Sequence, residues 1–302
     1  MRILMTGASG FVGDATARAL ETKGIELHAI GRNRPNCEAI VSWHRTDLFN
    51  DRDVRKVMGL VRPRAILHLA WYVEHNKFWS APENLRWVDA TTTLFRIAAE
   101  YGVERFVGIG TCYEYDWPTH GCCNEIATTI RPTTLYAEAK DATRRALHLL
   151  ATKTSVELSW ARLFFLFGPG EKEGRLVSTI AHALVRGESA SCTSGVVFRD
   201  YIDVTTAGEA LAALTLSNVT GPVNIASGTP IRVADLALRL GQLAGHPELV
   251  KIGALPDRPN EPLLICADVD RLRNEVGYVP TRTLDDALTE TLCYWRMRET
   301  QR

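Results

Sequence analysis

"RILMTGASGFVG", residues 2–13, runs an apolar segment directly into three glycines, Gly7, Gly10 and Gly13, spaced three apart. Residues 2–6 read as a short buried strand, and "FVGDATARALETKG" (11–24) follows with helical periodicity and Gly24 as its stop. A glycine triplet alone is weak, because glycine is the ordinary turn residue. Between a strand and a helix it says more. Gly7 permits the tight turn, Gly10 lets backbone approach a diphosphate at the helix N-terminus, and Gly13 lets helix pack closely on strand. Ser9, Phe11 and Val12 belong to the same cofactor-facing turn.

Outward from this turn, "IELHAIG" (25–31), "RAILHLA" (64–70), "ERFVGIG" (104–110) and "VELSWARLFFLFG" (156–168) read as further strands. Helical "TTLFRIAAEYG" (92–102) lies between two of them. Strands alternating with helices predict parallel βαβ units, hence a Rossmann-type, doubly wound α/β sheet. The pattern loosens after "GPGEKEGR" (168–175), and a last helix is expected at "LDDALTETLCYWRMR" (284–298). Residues 1–165 are expected to form the cofactor lobe, with a return segment near 200–226. Residues 166–302 are expected to be mainly a smaller α/β substrate lobe.

The end of the second strand bears on cofactor choice. An acid there would hold a ribose 2′-hydroxyl. This chain has "GRNRP" (31–35) instead, and Arg32 suits a 2′-phosphate that a carboxylate would repel. Arg34 reads equally well as a solvated loop residue. NADP is therefore favoured over NAD. Asp47 and Leu48 are placed to hold an adenine edge, and Leu69, Ala70 and Trp71 end a strand on the rim where open α/β sheets bind ligands.

"LYAEAK" (135–140) sets Tyr136 and Lys140 four apart, on one helix face. Spacing alone fits a solvated face. Downstream of a dinucleotide turn, and just after Thr111 at a strand end, it fits a reacting pair. A phenol beside an ammonium group and a positively charged nicotinamide is expected to lose its proton more easily, making Tyr136 a working acid or base. Thr111 would add a hydrogen bond to the substrate oxygen.

The combination of "TGASGFVG", "GTCYEY" and "YAEAK" resembles the extended short-chain dehydrogenase/reductase family, and its nucleotide-sugar branch of epimerases, dehydratases and 4-ketoreductases. "RDYIDV" (199–204), "VNIASG" (223–228) and "RPNE" (258–261) resemble that branch's C-terminal signatures. The resemblance implies NAD(P), a catalytic Thr111–Tyr136–Lys140 set, and a nucleotide-diphosphate sugar held in the C-terminal lobe. It places Arg199 and Arg258 on the diphosphate, with Arg175 a further substrate contact. It also implies a homodimer built as a four-helix bundle around the helix of Tyr136, with Ala142, Ala146, Leu149 and Leu150 as its apolar stripe.

Departures narrow the reaction. Sugar 4,6-dehydratases carry an Asp-Glu pair after the catalytic Thr, where this chain has Cys112 and Tyr113. Phe165 stands where many relatives place a diphosphate-binding Asn, and Trp87 where relatives carry a structural Asn. Trp71, Tyr72, Phe78, Trp79 and Trp87 either wall the sugar pocket or pack a core. The resulting expectation is an NADPH-dependent reductase of a nucleotide-linked 4-keto-6-deoxyhexose. A nucleotide-sugar 4-epimerase is the alternative, and a non-catalytic NADP-binding sensor a third reading.

Composition bounds the rest. The 302 residues carry 35 Lys+Arg against 35 Asp+Glu, a zero net charge that argues against a general nucleic-acid binder. No stretch reaches membrane-spanning length, and the start lacks a signal-peptide pattern. Seven Cys with no CxxC argue against a metal site and for reduced thiols in a soluble cytoplasmic protein.

Overall fold

The computed structural model describes residues 1–35, 37–40 and 42–301. In chain order the first half runs β1 (Arg2–Thr6), α1 (Phe11–Glu21), β2 (Glu26–Gly31), β3 (Ser42–Arg45), α2 (Asp51–Val61), β4 (Ala65–His68), α3 (Glu83–Glu100), β5 (Arg105–Thr111), α4 (Leu135–Ala151) and β6 (Glu157–Leu163). The second half adds β7 (Phe165–Phe167), α5 (Leu176–Val185), β8 (Ala190–Ser191), β9 (Phe198–Arg199), β10 (Tyr201–Asp203), α6 (Val204–Leu216) and β11 (Gly221–Ile225). It closes with β12 (Ile231–Arg232), α7 (Val233–Ala244), β13 (Val250–Lys251), β14 (Leu264–Ile265) and α8 (Leu284–Thr300).

Seven strands form one sheet in the order β11-β6-β5-β4-β1-β2-β3, and each neighbouring pair is parallel. The Rossmann-like α/β fold expected from the alternating elements is present. Alternation along β1 shows how both faces are covered. Ile3 and Met5 join a core with Ala17 and Leu20 of α1 and Ala207 and Leu211 of α6. Leu4 points the other way, into a core with Val57 of α2, Leu94 of α3 and Leu147 of α4.

Three details differ from the sequence reading. Residues 156–168 do not make one strand: the chain breaks at Phe164, and β7 leaves the main sheet to pair with β10. Leu150 packs on the core beneath α4, whereas Leu149 on the next position is 67% exposed, so the two do not share an outward stripe. The thiols are not all reduced: Cys122 and Cys266, 144 residues apart, form a disulfide. Their joining could not be read from spacing, because Cys123 and Ala267 are brought side by side only by a bridge between distant segments.

A third core, including Ile180, Leu184, Leu240, Leu288, Leu292 and Trp295, lies among α5, α7 and α8. No helix among the described residues is long and apolar enough to cross a membrane.

Candidate active site

The first part of the site is the turn between β1 and α1. Gly7 takes φ +71°, and a Cβ there would lie 2.7 Å from the backbone nitrogen of Ala70. A Cβ on Gly13 would meet the Gly7 carbonyl at 2.1 Å. Both positions therefore need glycine. Gly10 caps α1 with no side chain, so the helix's first N–H groups are free to meet an anion.

A cleft of about 230 Å³ opens over this turn. It gathers Gly7, Ser9, Gly10, Arg32, Asp47, Leu48, Leu69, Ala70 and Trp71 at the C-terminal rim of the sheet. Phe11, Val12 and Gly13 lie just beyond it, in the first turn of α1. Arg32 is exposed and makes no ion pair among the described residues. The cleft's shape, the bare helix end and the adjacent cation fit a dinucleotide: the diphosphate on α1, the adenosine half toward Arg32 and Asp47. Its lining also includes Asn33, Phe49, Val73 and Trp87, which no motif marks as cofactor contacts.

The second part is built at the ends of β5 and α4. Thr134 caps α4 by accepting the N–H of Ala137 at 3.2 Å, and so starts the helix one residue before Tyr136. Thr111 ends β5, and its side chain lowers the Tyr136 phenol by a hydrogen-bonding influence. The Tyr136 N–H donates to the carbonyl of Trp79 at 3.1 Å. The rings of Phe78 and Trp79 stand edge-on to the Tyr136 ring at 4.8 and 5.9 Å. Lys140 is 4% exposed; its Nζ donates to the Ile109 carbonyl at 2.8 Å and lies 3.7 Å from the centre of the Trp71 ring.

The electrostatics of this pair in the protein alone are set by desolvation. Burial pushes the Tyr136 phenol above its ordinary value, against the lowering effects of Thr111 and Arg175. Burial also pulls Lys140 down to about 7, because its nearest partners are a carbonyl and an indole, and the field of Glu114 offsets little. In the protein alone the phenol therefore holds its proton; the expected lowering belongs to the pair with a charged nicotinamide beside it. Desolvation, invisible in a motif, is the largest influence on the phenol.

Beneath Thr111 lies a group that the motifs did not reveal. Glu114 is fully buried; it accepts the Thr111 N–H at 2.9 Å and the Arg162 Nε–H at 2.8 Å. The Trp160 indole N–H also donates to it, at 3.0 Å. Arg162 donates on to the Tyr115 hydroxyl, which donates to Asn224. Cys112 is buried and its thiol is held well above the ordinary value by desolvation, so it is inert.

The substrate-side candidates are more scattered. Arg199 is buried, donates to Glu261 at 2.9 Å and sits 5.7 Å from the Phe165 ring centre. Arg199 and Arg258 both act on the Tyr113 phenol electrostatically. Arg175 is exposed at the start of α5 and acts in the same way on Tyr136 and on Glu171. Glu171 carries no sequence signal: burial raises its carboxyl to about 8, while it accepts the Ser178 N–H at 3.1 Å.

The family model described as the NAD dependent epimerase/dehydratase family matches residues 3–226. The chain belongs to that family, and is an enzyme of NAD(P)-linked chemistry. UDP-glucuronic acid decarboxylase 1 of Xenopus tropicalis is 26% identical over 98% of this chain and 72% of its own. The dTDP-4-dehydro-6-deoxy-D-allose reductase of Streptomyces bikiniensis is 23% identical over 97% of this chain and 96% of its own. The UDP-glucose 4-epimerase of Thermus thermophilus, solved with NAD, superposes with a TM-score of 0.85 at 22% identity, covering 98% of this chain and 99% of that one. This last likeness shows the fold.

Proposed function

We propose that the protein is an NADPH-dependent reductase of a nucleotide-diphosphate-linked 4-keto-6-deoxyhexose. The observation that carries this reading is the Thr111, Tyr136 and Lys140 set joined to the dinucleotide cleft through Trp71, which lines the cleft and lies 3.7 Å from Lys140 Nζ, with burial favouring the protonated phenol. Reduction of a ketone needs that form, because the developing alkoxide must receive a proton. When bound, the nicotinamide supplies the hydride. Tyr136 gives its proton to the sugar oxygen, Thr111 polarises that oxygen, and Lys140 holds the nicotinamide ribose. Arg32 favours NADPH through its fork of donors to a 2′-phosphate.

Two features argue against dehydration as the main reaction. Cys112 is an inert buried thiol, and burial raises the Tyr113 phenol, so neither supplies a carboxylate acid or base. The similarity to a 4-dehydro-6-deoxy sugar reductase over nearly the whole chain supports the substrate class. Arg258 and Arg199 would take the diphosphate, with Arg199 first released from, or shared with, Glu261. The working enzyme is a homodimer in which α3 and α4 of two copies pack as four helices, through Leu85, Ala142 and Leu149 on the outward faces.

The test is NADPH oxidation against a panel of nucleotide-linked 4-keto-6-deoxy sugars. Consumption of NADPH in clear preference to NADH is the expected result. Tightly retained NAD, with interconversion of nucleotide-sugar epimers and no net NADPH consumption, would replace this reading with a 4-epimerase.

A further inference from the structure

We propose that Trp71 is a positioning residue for Lys140: its indole face, pinned by the buried side chain of Asn84, fixes where the lysine's ammonium group sits. The inference rests on the reading of Lys140 as a member of the cofactor site, and assigns new roles to Trp71 and Asn84.

Lys140 Nζ has one hydrogen bond, to the Ile109 carbonyl, and its other N–H groups have no acceptor at hydrogen-bonding distance among the described residues. The Trp71 ring fills that gap at 3.7 Å, where the negative face of an indole attracts a cation. Trp71 is not free to leave. Its Nε1–H donates to Asn84 Oδ1 at 2.8 Å, and Trp87 stacks beside it with ring centres 6.1 Å apart. Asn84 is fully buried, and its Nδ2 donates to the carbonyls of Phe78 at 2.7 Å and Ala81 at 2.9 Å. Turning this amide would break all three bonds.

The same amide also reaches Tyr136. The segment it holds, Phe78–Ala81, supplies the two rings against Tyr136 and the carbonyl that receives the Tyr136 N–H. One buried side chain thus sets the register of both members of the pair.

The other ionisable groups around Lys140 are few. His68 on β4 is held neutral, near 3, by burial, and its ring nitrogens meet Thr6 and Thr91. Glu114, below β5, is committed to Arg162. Tyr136, on the same helix, presents its ring at 5.9 Å. Apart from the Ile109 carbonyl, Trp71 is therefore the close contact that favours the charged lysine. Two roles for it predict opposite signs. If Trp71 only kept water away, removing it would hydrate Lys140 and raise its titration midpoint. If its ring face stabilises the ammonium, removing it lowers the midpoint.

The experiment follows the Lys140 13Cε resonance against pH in lysine-labelled protein, with Lys140→Met as the assignment control. We expect Trp71→Leu to lower the midpoint by half a unit or more, about a threefold fall in the ammonium-to-amine ratio. Trp71→Phe, which keeps a weaker ring face, and Asn84→Ala, which unpins the indole, should each lower it less. A midpoint that rises or stays put in Trp71→Leu overturns the proposal. If Trp71→Leu does not fold, Trp71→Phe decides by the same signs. A parallel titration with NADPH, read by its fluorescence, separates the two levels. Failure of the unaltered protein to bind any dinucleotide would sink the functional reading, while the lysine titration would still judge Trp71.

Discussion

Two buried cations lie beside β5, one through the Ile109 carbonyl and one through Glu114, and the protein treats them in opposite ways. Arg162, 1% exposed, is matched by a carboxylate: Glu114 accepts its Nε–H, and Tyr115 takes another donor. Burial pulls the guanidinium down, but Glu114 and Tyr115 outweigh it and hold it fully charged. Lys140 is almost as deeply buried and has no carboxylate within ion-pair reach among the described residues. It falls to about 7, where it can exchange its proton. A paired buried charge is a strut. An unpaired one costs stability and stays chemically available, which is how reacting groups are commonly built.

The sharpest way to break this comparison is to remove the hydroxyl on the reacting side, one helical turn from Lys140. Tyr136→Phe keeps the ring between Phe78 and Trp79 but removes the proton donor. Turnover on the best substrate should fall about a hundredfold to ten-thousandfold, with cofactor affinity little changed. Steady-state rates and an NADPH titration check both halves, and near-full turnover would reduce the pair to a helix surface.

On the strut side, Glu114→Ala strands Arg162 with no countercharge and frees the Thr111 N–H. Denaturant unfolding should show a loss of about 3–5 kcal/mol, the usual effect of breaking a buried pair. A loss near zero would mean that Arg162 finds water or another partner, and the contrast would fail.

Lys140→Met should do the reverse to stability. Its folded value, about 7, lies below the ordinary 10.5, so between those pH values the unfolded chain binds the extra proton. Stability from this group therefore rises with pH from about 7 to 10.5 and is lowest below that window. Removing it should stabilise the cofactor-free protein on the order of 2 kcal/mol at about pH 7 and flatten that slope, while weakening NADPH binding. Thermal melts about half a unit below pH 7 and near pH 9.5 would show it; a lysine that proves stabilising at neutral pH would contradict its assignment as the unpaired partner.

A last expected effect, of similar size, lies farther out. Arg32→Asp should weaken NADPH binding by about 2 kcal/mol and spare NADH, since it turns an attractive contact with a 2′-phosphate into a repulsive one. Equal NADPH and NADH affinities in the unaltered protein would remove the reason for the test.

What could be read from the sequence was local. Gly7, Gly10 and Gly13 lie within one turn, and Tyr136 and Lys140 within one turn of α4, so spacing and context exposed them. Arg32 follows directly on β2. Glu114 and Arg162 are 48 residues apart and meet only because β5 and β6 are neighbours in the sheet. Asn84 and Trp71 join across a loop whose path no periodicity announces. The direction of the Tyr136 shift escapes the sequence for the same reason. A motif shows which charge stands near the phenol, but not how much water has been removed from it.

The return of β11 to the edge of the main sheet has a consequence for synthesis. The strand that pairs with β6 ends at Ile225, and α6, which covers α1, ends only at Leu216. A nascent chain that has emerged through β6 still shows an unpaired strand edge and an uncovered small-residue face on α1. Such edges invite pairing with the wrong chain. The ribosome must therefore deliver roughly sixty further residues, β7 to α6 among them, before β11 can complete the first sheet. Slow codons or a stall within that interval would favour aggregation without altering a single contact of the finished molecule.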